Sequence, residues 1–362
     1  MSKPCVMIMA GGTGGHVFPA LSLAGLLRAR DIEVVWLGTR AGIEARLVPA
    51  AGIDVEWIDI GGLRGKDLTT LFDAPIRLAR ALWQALATVR RHRPRVVVGL
   101  GGYVTGPGGL AAFLARCPLV IHEQNAVAGF TNRILARLAT QVLEAFSGSF
   151  GSGVKATTVG NPVRTEFFAL PDPTARYASR QGPLHVLVVG GSQGAQRLNS
   201  VVPEAVAALS GKVDLRIRHQ TGTRTLEATR EAYIARGITA DLSPFIDDIA
   251  AAYADADVVI CRAGALTVSE LAAAGVAAIL VPFPAAVDDH QTRNARFLVE
   301  REAAVLLPEC ELTSQRLASE LKRFAADRKM LYRMAERARS LARPNATDDL
   351  ARACLVAGGL TA

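Results

Sequence analysis

The stretch Val6–Arg30, VMIMAGGTGGHVFPALSLAGLLRAR, limits what this chain can fold into more than any other. An apolar, strand-like run meets glycines on both sides of Thr13, a histidine follows, and a helical pattern opens at Pro19. The same succession returns at Gly182–Leu209, GPLHVLVVGGSQGAQRLNSVVPEAVAAL. A strand, a turn poor in side chains and a helix, used twice, predict parallel sheets covered by helices on both faces. At such turns the bare backbone lets a ligand come close, and the amides of a helix N-terminus favour an anionic or oxygen-rich one. Glycines serve tight strand-to-helix turns equally well, so the loop alone does not prove a ligand.

The alternation continues along the chain. Strands are expected at Val6–Ala10, Glu33–Leu37, Arg95–Leu100, Pro118–His122 and Gln141–Ala145, and helices at Pro19–Arg30 and Pro75–Arg91. The second half adds strands in VDLRIRHQTG, ADVVICRAG and AAILVPF, with helices at Leu266–Ala274 and Gln291–Arg301. A length of 362 residues suits two domains, and VGNPVR at Val159–Arg164 punctuates the pattern where the first would end. The expected fold is α/β, two Rossmann-like domains facing across a cleft, with ligands at the carboxyl ends of the strands.

Several function classes drop out. Counted from Gly12, the dinucleotide fingerprint meets Gly14 and then Val17 where a third glycine is required; the loop at Gly190 also fails the spacing, and no Walker string occurs. Val96–Ala115 is uncharged over the length of a bilayer crossing, but glycines and Pro107 interrupt it where a helix must be continuous, so strand, loop and helix are expected. The cysteines are scattered without a C-x-x-C pair, and the N-terminus lacks the regions of a signal peptide. A reducing compartment is expected, with neither a disulfide framework nor a zinc site. The D-x-D string at Asp255–Asp257 is too short to imply a metal. The excess of 41 basic over 33 acidic residues favours anionic partners, but no basic run interleaved with aromatics points to nucleic acid.

Three polar clusters each follow an apolar strand: HEQN at His122–Asn125, CRAGALTVSE at Cys261–Glu270 and DDHQTRNA at Asp288–Ala295. With the loops they carry a resemblance. AGGTGGHVFPAL, GGYVTGPGGLAA, HEQNAVAGFTN, VGNPVR, VVGGSQGAQRLN, FIDDIAAAYADADVVICRAGALTVSELAAAG and HQTRNA, in this order up to about Leu350, are similar to the MurG family of GT-B glycosyltransferases. The resemblance implies an inverting transfer of N-acetylglucosamine from UDP-N-acetylglucosamine to the 4-hydroxyl of N-acetylmuramoyl-pentapeptide on undecaprenyl diphosphate. Lipid I would become lipid II in peptidoglycan synthesis. Residues 1–163 plus 343–362 would bind lipid I and associate with the membrane, and residues 164–342 would bind the nucleotide sugar. No cofactor is implied. A peripheral position on the cytoplasmic face of the cell membrane is, together with association with other cell-wall synthesis proteins.

By the same resemblance, Thr13, Gly14, Gly15, Asn125, Arg164 and Ser192 line the donor sugar and diphosphate. Ile246 offers a backbone contact to uracil, and Ala265, Leu266, Thr267, Val268, Ser269 and Glu270 hold the nucleotide. Glu270 suits both ribose hydroxyls, since a carboxylate accepts two strong hydrogen bonds. Gln291 corresponds to the contact with the donor sugar hydroxyls, although PAAVDDHQ around it departs from the family's form. Arg164, with the amides after Ser192, is suited to offset the charge growing on departing UDP, so no metal is expected. The attacking hydroxyl needs a general base. His16 is the first candidate, followed by Glu123 and His122; the alternative for His16 is a structural bond to the turn or a cationic contact with the acceptor diphosphate.

Lipid I lies in a bilayer. Leu63–Arg93 combines Leu71, Phe72, Ile76, Leu82 and Trp83 with Arg64, Lys66, Arg77 and Arg80, which suits an anionic membrane surface as well as ordinary packing on the sheet. Three other classes stay open. A UDP-sugar epimerase would interconvert sugars without an acceptor, a UDP-sugar sensor would bind donor without releasing UDP, and a nucleic-acid binder is the reading from charge alone.

Overall fold

The computed structural model describes residues 3–61, 68–178, 180–191 and 194–360, the side chains of 68–73 and 287 excepted. The chain forms two compact units, Met1–Arg164 with Asn345–Ala362, and Thr165–Pro344.

Unit 1 runs β1 (Cys5–Ala10), α1 (Gly14–Ala29), β2 (Glu33–Gly38), α2 (Glu44–Ala50), β3 (Asp54–Trp57), α3 (Leu68–His92), β4 (Val96–Gly101), α4 (Thr105–Leu114), β5 (Leu119–Glu123), α5 (Phe130–Leu135), β6 (Gln141–Glu144) and β7 (Thr157–Thr158). Its sheet is parallel in the order β3-β2-β1-β4-β5-β6-β7. All of β1 is buried, which explains its unbroken apolar sequence: both faces of the strand are covered. Val6, Ile8 and Ala10 pack with Val17, Ala20 and Leu23 of α1. Met7 and Met9 pack with Ala81, Ala85 and Val89 of α3 and Ala111 of α4.

Unit 2 runs α6 (Thr165–Phe168), α7 (Pro173–Ala178), β8 (Leu184–Val189), α8 (Gln196–Ala207), β9 (Leu215–Gln220), α9 (Leu226–Ile234), β10 (Asp241–Ser243), α10 (Ile249–Asp255), β11 (Val258–Cys261), α11 (Ala265–Ala274), β12 (Ala277–Leu280), α12 (His290–Val299), β13 (Ala304–Leu306), α13 (Ser314–Ala326) and α14 (Arg328–Ser340). Its sheet is again parallel, β10-β9-β8-β11-β12-β13. The last helix, α15 (Ala346–Ala357), belongs to unit 1, where Leu350, Ala351, Cys354 and Leu355 join the core beside α1.

The expected central strands form, and each unit is Rossmann-like. Helix α1 differs from expectation: it starts at Gly14, so Pro19 lies inside it. A proline near a helix start gives up only a hydrogen bond of the opening turns, and the glycines before it carry no apolar period to betray their helical state. Val96–Ala115 is β4, a turn and α4, and no helix among the described residues is long and apolar enough to cross a membrane.

The D-x-D string is part of the framework of unit 2. Buried Asp257 accepts from Arg180 (2.7 Å), Arg328 (2.6 Å) and the His185 amide (2.9 Å), so its oxygens are already engaged.

Candidate active site

The opening loop of unit 1 is tied down from inside the protein. The Gly12 amide donates to Oε2 of Glu44 at 2.9 Å, while Oε1 of that fully buried carboxylate accepts from the Thr39 amide (3.2 Å) and hydroxyl (2.7 Å). This narrows the expected anion cradle, because the Gly12 donor is spent on Glu44. Thr13 is the N-cap of α1 at φ −118° and ψ 161°, and its hydroxyl makes no capping bond. Gly14 and Gly15 then open the helix with first-turn amides that no earlier helical carbonyl can satisfy. Next to them, Gly101 and Gly102 at the end of β4 have φ +109° and +89°. A Cβ on Gly101 would collide with the His16 ring, and one on Gly102 with the Gly11 carbonyl. These two glycines of GGYVTGPGG are needed for that approach.

His16 is half-buried in the first turn of α1. Its Nδ1 lies 3.1 Å from Oε1 of Gln124, and Nε2 meets no hydrogen-bond partner among the described residues. Gln124 Nε2 lies 3.2 Å from His122 Nδ1 and 3.3 Å from the His122 carbonyl, and His122 Nε2 lies 2.9 Å from the Gly160 carbonyl. His122 is fully buried, and burial pushes its pKa down. The two runners-up for the base are held by hydrogen bonds of their own. His122 has both ring nitrogens engaged inside the core. Glu123, 3% exposed, accepts from the Asn125 amide (2.9 Å) and side chain (3.1 Å), the Gly129 amide (3.1 Å) and Asn132 Nδ2 (2.8 Å). A carboxylate so occupied holds the loop after β5 in place and has no lone pair to spare for a substrate proton. Asn125 is fixed by it at the carboxyl end of β5, and Ser149 Oγ donates to its carbonyl at 2.9 Å.

In unit 2 the corresponding ends are those of β8, β11 and β12. Ser192 lies outside the described residues. Helix α11 begins after Gly264, which has no side chain to cap it, so the positive end of the helix dipole lies at Ala265. The other end is closed by cations: Arg176 donates to the Ala274 carbonyl at 2.6 Å and to Gly275, and Arg339 donates to Ala273. Leu266, Thr267, Ser269 and Glu270 are half-buried, whereas Val268 is fully buried. The Val268 side chain packs inward, which leaves its backbone as the part that can meet a nucleotide. Burial pushes the Cys261 thiol up to about 12, and the Glu270 charge adds to this, which puts that carboxylate near the end of β11. Ile246 is 4% exposed, so its backbone is the part able to meet a base.

Gln291 in α12 accepts from the Phe283 amide through Oε1 at 2.9 Å, leaving its NH2 group as donor. Asn294 Nδ2 donates to the Ala263 carbonyl at 3.2 Å and so ties α12 to the loop before α11. Arg164, half-buried, is the last residue of unit 1 before the chain enters unit 2. The structure thus gathers Thr13, Gly14, Gly15, His16 and Asn125 at neighbouring strand ends of unit 1, and the α11 residues and Gln291 at those of unit 2. Sequence reasoning missed Glu44, Gln124 and Asn294. Strand alternation pointed to Gln124, because it shares a face with His122 two residues earlier.

Residues 6–144 match the glycosyltransferase family 28 N-terminal domain, and residues 185–350 the glycosyltransferase family 28 C-terminal domain. The UDP-N-acetylglucosamine--N-acetylmuramyl-(pentapeptide) pyrophosphoryl-undecaprenol N-acetylglucosamine transferase of Nitrosococcus oceani is 57% identical over 355 residues, 98% of this chain and 99% of its own. The enzyme of the same name from Alkalilimnicola ehrlichii is 58% identical with the same coverage. The crystal structure of Acinetobacter baumannii MurG is similar at a TM-score of 0.86 and 42% identity, covering 98% of this chain and 99% of that one. MnaA of S. aureus, solved with UDP, has a TM-score of 0.67 at 14% identity over 99% of this chain and 98% of its own, a likeness of fold alone. The chain belongs to glycosyltransferase family 28 and, within it, to the MurG family.

Proposed function

We propose that this chain transfers N-acetylglucosamine from UDP-N-acetylglucosamine to the 4-hydroxyl of N-acetylmuramoyl-pentapeptide on undecaprenyl diphosphate, making lipid II. The observation that carries this is 57% identity, end to end, with a transferase named for that donor and acceptor. Unit 2 takes the nucleotide sugar. The α11 amides and Glu270 hold the ribose and phosphates, the Ile246 backbone meets uracil, and Gln291 donates its NH2 to a sugar oxygen. Unit 1 takes the lipid-linked acceptor, and its Thr13, Gly14, Gly15 and Asn125 line the donor sugar and diphosphate.

His16 is the general base. Its Nε2 removes the proton as the acceptor oxygen attacks the anomeric carbon from the side opposite UDP. The bond from that carbon to the β-phosphate oxygen breaks, its electron pair leaves with UDP, and the α linkage becomes β. A positioned base contributes about 10²–10⁴-fold to such a step. Arg164 and the amides after Ser192 offset the charge that appears on UDP.

The protein works as a peripheral partner of an anionic membrane on its cytoplasmic face. Ile76 and Trp83 of α3 are 73% and 71% exposed, on the side opposite Ala81, Ala85 and Val89 and next to Arg77 and Arg80. Phe113 and Leu114 of α4 and Phe130 of α5 are exposed in the same unit. Leu71 and Phe72 fall among the side chains outside the described residues, as do Arg64 and Lys66. Apolar side chains beside basic ones favour the headgroup region of anionic lipid.

Transfer of labelled N-acetylglucosamine from its UDP donor to a short-chain lipid I analogue, with and without EDTA, tests the reading. Transfer that survives the chelator is expected. Saturable donor binding without transfer would overturn it, and sugar interconversion in the absence of acceptor would favour an epimerase.

A further inference from the structure

Two backbone carbonyls set the direction of every hydrogen bond leading to His16. The Gly160 carbonyl can only accept, so His122 Nε2, 2.9 Å away, carries the hydrogen. With His122 neutral in the core, Nδ1 is left as an acceptor, in keeping with the downward push of burial on this ring. The His122 carbonyl likewise only accepts, so the Gln124 side-chain atom 3.3 Å from it is the NH2 group, which also donates to His122 Nδ1 at 3.2 Å. The amide therefore turns its oxygen to His16, and that oxygen, 3.1 Å from Nδ1, requires a donor there.

We propose that His122 and Gln124 are positioning residues that lock neutral His16 in one tautomer, with the hydrogen on Nδ1 and the lone pair on Nε2. The lock uses no charge, unlike an orienting carboxylate. Gln124 is 2% exposed and its backbone carbonyl accepts from Asn161 Nδ2 at 3.1 Å, so the residue is anchored in the core rather than by substrate. The Gly101 backbone lies so close to the ring that a Cβ there would collide with it. The consequence for the reaction rests on His16 being the base: the nitrogen that must take the proton is left bare before substrate arrives.

The test is the tautomer itself, read by 15N NMR of the full-length protein labelled at histidine, at a pH where the ring is neutral, with His16→Ala used only to assign the signal. The wild type should show a protonated Nδ1 and an unprotonated Nε2 on His16. A wild-type ring with its hydrogen on Nε2 would overturn the proposal. In Gln124→Met, of similar size but without the amide, the Nδ1–H preference should be lost and kcat should fall about tenfold to a hundredfold, with KM for the donor little changed. Gln124→Glu, which can still accept from Nδ1–H, should keep the tautomer. An unaltered His16 tautomer in a folded Gln124→Met protein would also overturn the lock. A changed tautomer with unchanged kcat would leave the lock standing and instead remove His16 as the base.

Discussion

Each unit contains a run of hydrogen bonds built on a buried histidine at the carboxyl end of its sheet, but only one run leads outward. In unit 2, His219 Nε2 lies 3.0 Å from Asn199 Oδ1 and its Nδ1 lies 3.0 Å from the Tyr233 hydroxyl. Asn199 in turn donates to the Thr221 carbonyl and Thr225 hydroxyl, both at 3.0 Å. His219, Asn199 and Tyr233 are all buried. In unit 1 the run from Gly160 through His122 and Gln124 ends on half-buried His16. Similar chemistry therefore gives a structural clasp where both ends are closed, and a candidate reactive nitrogen where one end is open. Burial, not residue type, separates the two.

Replacing the ends of the two runs should break the comparison most sharply. His16→Ala should lower kcat by about 10²–10⁴-fold in the transfer assay while leaving the urea midpoint nearly unchanged. Normal turnover would make His16 structural. His219→Ala should act in the opposite way, costing about 3–5 kcal/mol of unit 2 stability, because it opens a cavity and strands two buried polar groups. Equilibrium unfolding followed in that unit measures it.

Gly101→Ala comes next. Its Cβ would meet the His16 ring at a backbone φ of +109°, so a stability loss of about 1–3 kcal/mol and reduced kcat should appear together. An unaffected kcat would mean that the ring need not lie where it does.

The smaller effects concern pH and the membrane. Burial holds the His219 pKa down at about 3, below its ordinary 6.5. The unfolded chain then binds more protons between those values, so the stabilising effect of a neutral His219 is complete above about pH 6.5 and is lost as pH falls toward 3. The slope contributed is at most about 1.4 kcal/mol per pH unit. Urea midpoints from pH 7 to pH 4 should flatten in His219→Phe if this holds. Trp83→Ser should weaken sedimentation with anionic vesicles without altering stability, since the ring is 71% exposed.

Much of the site was visible in the sequence because glycine loops and polar clusters interrupt apolar strands, and those interruptions fall at strand ends in a parallel sheet. Thr13, Gly14, Gly15, His16 and Asn125 lie at such interruptions, and the resemblance to the MurG family is what gives Thr13, Gly14, Gly15 and Asn125 their expected roles. Glu44 was not, because nothing local marks an acid in AGIEARL as the acceptor for a glycine loop more than one strand earlier. Glu123 shows a second limit of the sequence: an acid beside a site suggests a base, and only the fold reveals the four donors its carboxylate already accepts from. Strands β3, β7, β10 and β13 escaped detection because short edge strands carry too few alternating positions to register.

The sequence by itself determined the architecture of each unit, since apolar period and glycine punctuation are properties of neighbouring residues. It also determined family membership, through motifs kept in order along the whole chain. The tertiary structure alone decided which polar groups are spent and which remain for a substrate. Glu44, Glu123, His122 and Gln124 meet partners that folding brings from distant strands and loops, and a hydrogen-bonding capacity already satisfied in the core cannot be read from the residue that owns it.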